Sequence, residues 1–175
     1  MQDIVFPNKN EKEFIEMAKK LGIDELIFAY KKKEDFYTKK ENIKITNTLY
    51  TEPNKIRKGT TTICNASREA IERGASIVYG FETIEPKEHT HYRKSGMNQV
   101  LCKLATNKKV KIGFAFSTIL NNHGQKRAII LGRMMQNIKF CKKYKTPIII
   151  ASFAANPYEM RAEAELKAFF SQLGL

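Results

Sequence analysis

The sequence has no tryptophan, and its 175 residues include only three cysteines, three histidines and five prolines. Each shortage excludes something. Cys64, Cys102 and Cys141 lie far apart, so no CxxC pair exists to hold a structural zinc. An odd number of cysteines, each in an apolar setting, points to buried free thiols in a reducing compartment rather than a disulfide framework. No apolar run approaches the ~20 residues that a helix needs to cross a bilayer; runs such as "GFAF" and "PIIIASFAA" are far too short. The opening "MQDIVFPNKNEKEF" has neither the basic start nor the apolar stretch of a secretion signal. A cytoplasmic protein with no membrane partner is expected. Phosphate-loop motifs are missing as well. No GxGxxG or GxxxxGKS/T opens a helix, which counts against a nucleotide-binding doubly wound sheet. Ser117 lacks the GxSxG elbow of a hydrolase nucleophile.

Acidic residues are also scarce: 18 Asp and Glu stand against 31 Lys and Arg, for a net charge of +13. The isoelectric point is near 9.6. Such a field attracts polyanions and speeds their capture. A lysine-rich solvated surface is the plainer reading, though it accounts better for balanced Lys/Glu surfaces than for this excess. With 42% hydrophobic and 10% aromatic residues the chain is globular, not disordered. Its length predicts one domain over residues 1–175.

Strand and helix patterns alternate along the chain. "QDIVF", "DELIFAY", "IKITNTLY", "TTTIC", "SIVYGFE", "VKIGFAF" and "TPIIIASFA" read as strands. Helical stripes fall at Phe14, Met17, Ala18 and Leu21, in "ASREAIERGA", and at Met97, Val100, Leu101, Leu104 and Ala105 with Ser95 as N-cap. Two more follow, at Leu131, Met134, Met135, Ile138 and Cys141, and at Leu166, Phe169, Phe170 and Leu173. Alternation of this kind predicts parallel strands with crossover helices, and continuous apolar strands imply that both faces are covered. A compact β/α (TIM-like) barrel, full or truncated, is expected, because 175 residues is short for a full one. The charged stretch 31–42 marks where an outer helix is missing or shrunken.

The fragment "HTHYRKSGMNQVL", residues 89–101, holds two of the three histidines beside an arginine. It follows a strand, so it belongs to the loop-bearing face of a barrel. His89 and His91, two apart, could share a metal, but a hydrolytic site needs more ligands, and His123 sits in a distant loop. A structural role for His91 is at least as well supported, and no catalytic residue is assigned. Basic groups are better organised: Lys31–Lys33, Lys39 and Lys40, "KIRK" at 55–58, "HYRK" at 91–94 and "QKR" at 125–127 all fall in loops or element ends. They are expected to converge on one rim, where phosphate contacts position a nucleic acid without reading its sequence. Arg93 is the strongest single candidate, because a guanidinium can fork onto phosphate and stack on a base.

Three stretches in order, "HYRKSGMNQVLCKLA", "LGRMMQNIKFCKKYKTPIIIASFA" and "MRAEAEL", resemble the thirty-kilodalton subunit family of archaeal and eukaryotic ribonuclease P, known as protein component 3. The resemblance covers roughly residues 75–175. It implies a barrel like that of the polymerase-and-histidinol-phosphatase (PHP) metal hydrolases, without their metal cluster. It further implies an accessory RNA-binding subunit of an endonuclease complex whose RNA removes the 5′ leader of precursor tRNA. Partners implied are ribonuclease P RNA, precursor tRNA, protein component 2 and other protein subunits. Mg²⁺ would serve the RNA, and this chain alone would bind no cofactor and cleave nothing. The family's His-His-Arg-Asn-Ser-Gly-Leu-Asn run reads here His91, Tyr92, Arg93, Lys94, Ser95, Gly96, Met97, Asn98, so the second histidine and the first asparagine are replaced. His91, Arg93, Lys94, Arg133 and Arg161 are the expected RNA-binding residues. Two alternatives stay open: a small metal-dependent phosphoesterase on a PHP-like barrel, and a structural module that touches component 2 and barely meets RNA.

Overall fold

A computed structural model describes residues 2–57, 59–85 and 91–175. Seven strands, β1 (Gln2–Val5), β2 (Glu25–Tyr30), β3 (Lys44–Tyr50), β4 (Thr62–Asn65), β5 (Ile77–Tyr79), β6 (Lys111–Ala115) and β7 (Ile148–Ala151), form one sheet. They pair in chain order, every neighbour parallel. Just past β7 the sheet meets its own start: Val5 bridges to Ala154, and the Phe6 N–H donates to the Ala154 carbonyl at 2.8 Å. The result is a nearly closed β/α barrel, as the alternating pattern predicts.

Burial explains why the strands are apolar on both faces. Ile4, Ile27, Ala29, Ile63, Ile77, Ala115, Ala151 and Phe153 pack together inside, with Phe6, Tyr50, Tyr79 and Ile149 around them. Gly113 makes room there. A Cβ at that position would lie 2.8 Å from Phe153 Cζ and 2.9 Å from Tyr79 Cβ, so the glycine lets those two rings stack at 4.5 Å. Outside the barrel lie α1 (Glu11–Lys20), α2 (Arg68–Glu72), α3 (Gln99–Lys108), α4 (Phe116–Leu120), α5 (Gly124–Lys143) and α6 (Glu163–Gln172). Phe14, Ile15 and Ala18 of α1 cover Leu26 and Phe28. Cys102, Ala105, Met134, Ile138, Leu166 and Phe170 cover Val78, Ile112 and Phe114.

Among the described residues, two connections lack an α-helix. Only a 3₁₀ turn, Lys33–Asp35, stands between β2 and β3, and another, Pro53–Lys55, between β3 and β4. The charged segment after β2 has no apolar stripe with which to dock a helix. Phe36 and Tyr37 cover the sheet in its place. Tyr37 stands edge-on to Phe28 at 5.8 Å, and Phe36 lies 5.8 Å from Tyr30. Asn47 clamps the segment, donating from Nδ2 to the Tyr37 carbonyl at 2.8 Å.

Several local expectations are corrected. Helix α3 is capped by Asn98, whose Oδ1 accepts from the Leu101 N–H at 2.9 Å; Ser95 is buried three residues upstream. Cys102 and Ala105 face the core, whereas Val100 stays 59% exposed. Strand β6 ends at Ala115, and Phe116–Leu120 turns helical at once, so Ser117 lies in α4 with its hydroxyl donating to the Phe153 carbonyl at 2.9 Å. Gln125, Lys126 and Arg127 form the first turn of α5 rather than a loop. All three cysteines are free and buried.

Candidate nucleic-acid interface

The segment from β5 to α3 is held by one face of α5. Gly80 and Gly96 adopt φ of 89° and 88°, left-handed values that favour glycine. At Gly96 a Cβ would fall 2.1 Å from the Phe81 carbonyl oxygen, so the chain passes too close for any side chain. Arg133 of α5 is 3% exposed, and its Nη1 donates to the carbonyls of Glu82 at 3.2 Å and Glu85 at 2.6 Å. One turn further on, buried Asn137 donates from Nδ2 to the Ser95 carbonyl at 2.8 Å. Arg133 and Asn137 thus pin both ends of the connection. Arg133, one of the expected RNA-binding residues, is placed with its guanidinium on the protein's own backbone.

Arg93 is exposed and lies across α5 at Gly132. A Cβ at Gly132 would sit 2.5 Å from Arg93 Nη1 and 2.7 Å from Cζ. Glycine inside a helix costs about 1 kcal/mol against alanine, and here it lets the guanidinium lie flat on the helix. Arg93, Gly132, Gln136, Lys139 and Lys142 line a surface cavity of about 580 Å³. The two lysines were not singled out by sequence. The glycine within the α5 stripe was the available signal, since it marks a close approach.

The other expected residues are placed differently. His91 is exposed on the same segment. Lys94 Nζ pairs with Glu85 at 2.6 Å, which raises the ammonium pKa. Arg161 donates from Nη1 to the carbonyls of Tyr158 and Met160 at 2.9 and 2.7 Å and lies over the Phe116 ring, 5.3 Å from its centre. His89 lies outside the described residues. Among the described residues, the expected cations do not line one cavity. Lys31, Lys32, Lys33, Lys55 and Arg57 line a separate cavity of about 320 Å³, which shares no residue with the one beside Arg93.

Among the described residues, no three His, Cys, Asp or Glu side chains come together as metal ligands. His123 Nδ1 lies 3.0 Å from the Arg127 guanidinium. Asp3, at the barrel seam, spends its carboxylate on Ser152. Among the described residues, the mouth at the strand C-termini, where barrel hydrolases carry their chemistry, is lined by Phe6, Tyr30, Tyr50 and Tyr79 rather than by imidazoles. These donors do not fit the metal cluster of a phosphoesterase. Burial pushes the Cys64 thiol up to about 11, away from nucleophilic use.

Fold and site together define a β/α-barrel protein that presents grouped cations beside a loop pinned by buried polar contacts. The chain belongs to the RNase P subunit p30 family, whose model matches residues 87–175, just over half of it. It is similar to ribonuclease P protein component 3 of Methanocaldococcus jannaschii, 37% identical over 81 residues that make up 46% of this chain and 35% of that protein. The Methanosarcina mazei protein of the same name is 34% identical over 114 residues, 65% of this chain and 46% of that protein. The Methanococcus vannielii protein of that name is 27% identical over 168 residues, 92% of this chain and 67% of that protein. The first two alignments therefore span between a third and a half of those relatives. A chain in the cryo-EM structure of archaeal ribonuclease P with mature tRNA has the same fold: TM-score 0.76 at 24% identity, covering 99% of this chain and 82% of that one.

Proposed function

We propose that this chain, acting as one domain over residues 1–175, is an accessory RNA-binding subunit of ribonuclease P. In this reading it supports the catalytic RNA in releasing the 5′ leader of precursor tRNA, and itself breaks no bond. One observation carries the proposal: Arg93, seated on Gly132 beside Lys139 and Lys142, forms a built cationic site inside the segment that the family's model matches. Its partners are then ribonuclease P RNA, precursor tRNA, component 2 and other protein subunits, with Mg²⁺ bound by the RNA. A solved structure of similar fold that contains tRNA supports this reading. No described helix is long and apolar enough to cross a membrane, and a cytoplasmic site of action is part of the proposal.

The test is reconstitution. Precursor-tRNA cleavage by ribonuclease P RNA with component 2 is measured with and without this chain, alongside a gel shift on the same RNA. Faster cleavage and a mobility shift that weakens steeply with salt are expected. Unchanged cleavage and no shift would overturn the reading. A shift that appears only with component 2, with a salt slope indifferent to Arg93→Ala, would instead favour a protein scaffold.

A further inference from the structure

Three surface cavities meet at the C-terminal end of β1–β4. The barrel mouth, about 590 Å³, is lined by Phe6, Asn8, Lys9, Lys31, Tyr50 and Tyr79, among others. Next to it, about 410 Å³ is lined by Lys31, Tyr50, Thr51, Lys55 and Asn65, among others. The third, about 320 Å³, holds Lys31, Lys32, Lys33, Lys55 and Arg57. Lys31 lines all three, Tyr50 lines the first two, and Lys55 lines the last two, so the three adjoin along one grooved stretch of surface. Among the described residues, neither the β2–β3 nor the β3–β4 connection carries an outer α-helix. Parallel pairing of β3 between β2 and β4 then brings two basic loops side by side at the same strand ends.

We propose that this groove binds a single-stranded RNA segment, with a base set against the rings of Phe6, Tyr50 and Tyr79 in the mouth and phosphates lying along Lys31, Lys32, Lys33, Lys55 and Arg57. The inference rests on the accessory-subunit reading only in taking the polyanion to be RNA.

Charge and shape both point this way. The five cations are exposed, and among the described residues Lys31, Lys32, Lys33 and Arg57 have no ion-pair partner. Lys55 pairs with Glu52 at 3.2 Å, but both are well exposed and such a pair yields readily to a phosphate. Of the acids at the mouth, Glu11 accepts from the Tyr30 hydroxyl at 3.2 Å, and Asp35 also lines the cavity. The rings are half-buried. Phe6 stands edge-on to Tyr50 at 5.2 Å, and Tyr50 lies 6.4 Å from Tyr79 at 52°. Crossed rings at a concave opening leave aromatic faces for a base, and stacking of this kind is open only to an unpaired nucleotide. A duplex would reach the lysines and miss the mouth. A free nucleotide would fill the mouth, but its lone phosphate would leave most of the five cations idle.

The test uses fluorescence anisotropy on the full chain with three probes: a short single-stranded RNA, a blunt RNA duplex of the same length, and a nucleoside 5′-monophosphate as competitor. Lys31→Glu with Lys55→Glu is compared with Lys108→Glu plus Lys143→Glu, an equal charge change at the opposite end of the barrel. The groove pair is expected to weaken single-strand binding by ~10-fold or more and the control pair by less than ~3-fold. Tyr50→Leu is expected to cost ~5-fold on the single strand and nothing on the duplex, with Tyr50→Phe within ~2-fold of the parent. Equal losses from the two charge pairs would overturn the proposal. So would a Tyr50→Leu variant that melts normally and binds the single strand as before, or a monophosphate that competes as well as the oligonucleotide. The two readings fail separately. If the chain stimulates cleavage while the groove variants bind RNA like the parent, only the groove is lost. If the groove takes single strands but the chain never joins ribonuclease P RNA, only the subunit reading is lost.

Discussion

Ser152 donates twice to the carboxylate of Asp3, 149 positions away in the chain: its N–H to Oδ1 at 2.6 Å and its hydroxyl to Oδ2 at 2.6 Å. The Ile4 N–H adds a third bond at 2.9 Å. Both residues are fully buried at the seam where β1 meets the end of β7. This clasp does for the barrel's closure what a ladder of hydrogen bonds does between the other strands. Burial still outweighs the three donors and pushes the Asp3 carboxyl up to about 6.

Ser152→Ala removes the described donor to Oδ2 and leaves a buried acceptor unpaired. A loss of about 1–3 kcal/mol is expected, read as a lower urea midpoint with an unchanged slope. A midpoint equal to the parent's would show that the seam holds without the clasp.

Glu82 sets a pH dependence. Its carboxyl is 0% exposed, takes no hydrogen bond from any other described residue, and is pushed up to about 7 by burial. Between roughly pH 4.5 and 7 the native state keeps a proton that the unfolded chain has released, so stability falls as pH rises through that window. The fall is on the order of 3 kcal/mol for a shift of this size. Asp3, also raised, adds to the same trend at the acid end of the window. Glu82→Gln should flatten the curve and outlast the parent at pH 8. Melting temperatures at about pH 5 and pH 8 check it, and parallel curves for the two proteins would refute it.

Arg133 is a positioning residue. Arg133→Met strands the carbonyls of Glu82 and Glu85 and should cost about 3 kcal/mol or more. Faster hydrogen exchange across the described parts of residues 80–98 is expected, with weaker RNA binding at an unchanged salt slope. A reduced slope would restore direct phosphate contact.

Gly132→Ala separates Arg93 from stability. The atoms nearest the new methyl are the far end of the Arg93 side chain, and alanine favours the helix by about 1 kcal/mol. The variant should melt at or above the parent's temperature while binding ribonuclease P RNA as weakly as Arg93→Ala does. Gly96→Ala is the contrast. Its methyl meets the Phe81 backbone at φ 88°, and a large drop in melting temperature is expected. Parent-like RNA binding by Gly132→Ala would mean that Arg93 has no fixed seat.

Much of this was legible from local pattern. Apolar runs for β1, β2 and β7, and stripes on α1, α5 and α6, are properties of neighbouring residues and survive in the fold. The shortfall after β2 was legible for the same reason, since "KKKEDFYTKKEN" has no apolar stripe at helical spacing. The cap of α3 was not, because Ser95 and Asn98 are both good caps. The burial of Ser95 beneath α5 decided between them.

The sequence by itself determined a basic barrel of parallel strands, because hydrophobic period and net charge are written in order along the chain. Only the tertiary structure decided which cations face outward. Gly132 and Arg133 are neighbours on α5, yet one receives an exposed guanidinium and the other buries its own. Helix rotation turns adjacent side chains about 100° apart, and what each meets depends on the segment packed against it. The meeting of Lys31 and Arg57, and of Asp3 and Ser152, likewise came from strand pairing between distant segments, which no local pattern encodes.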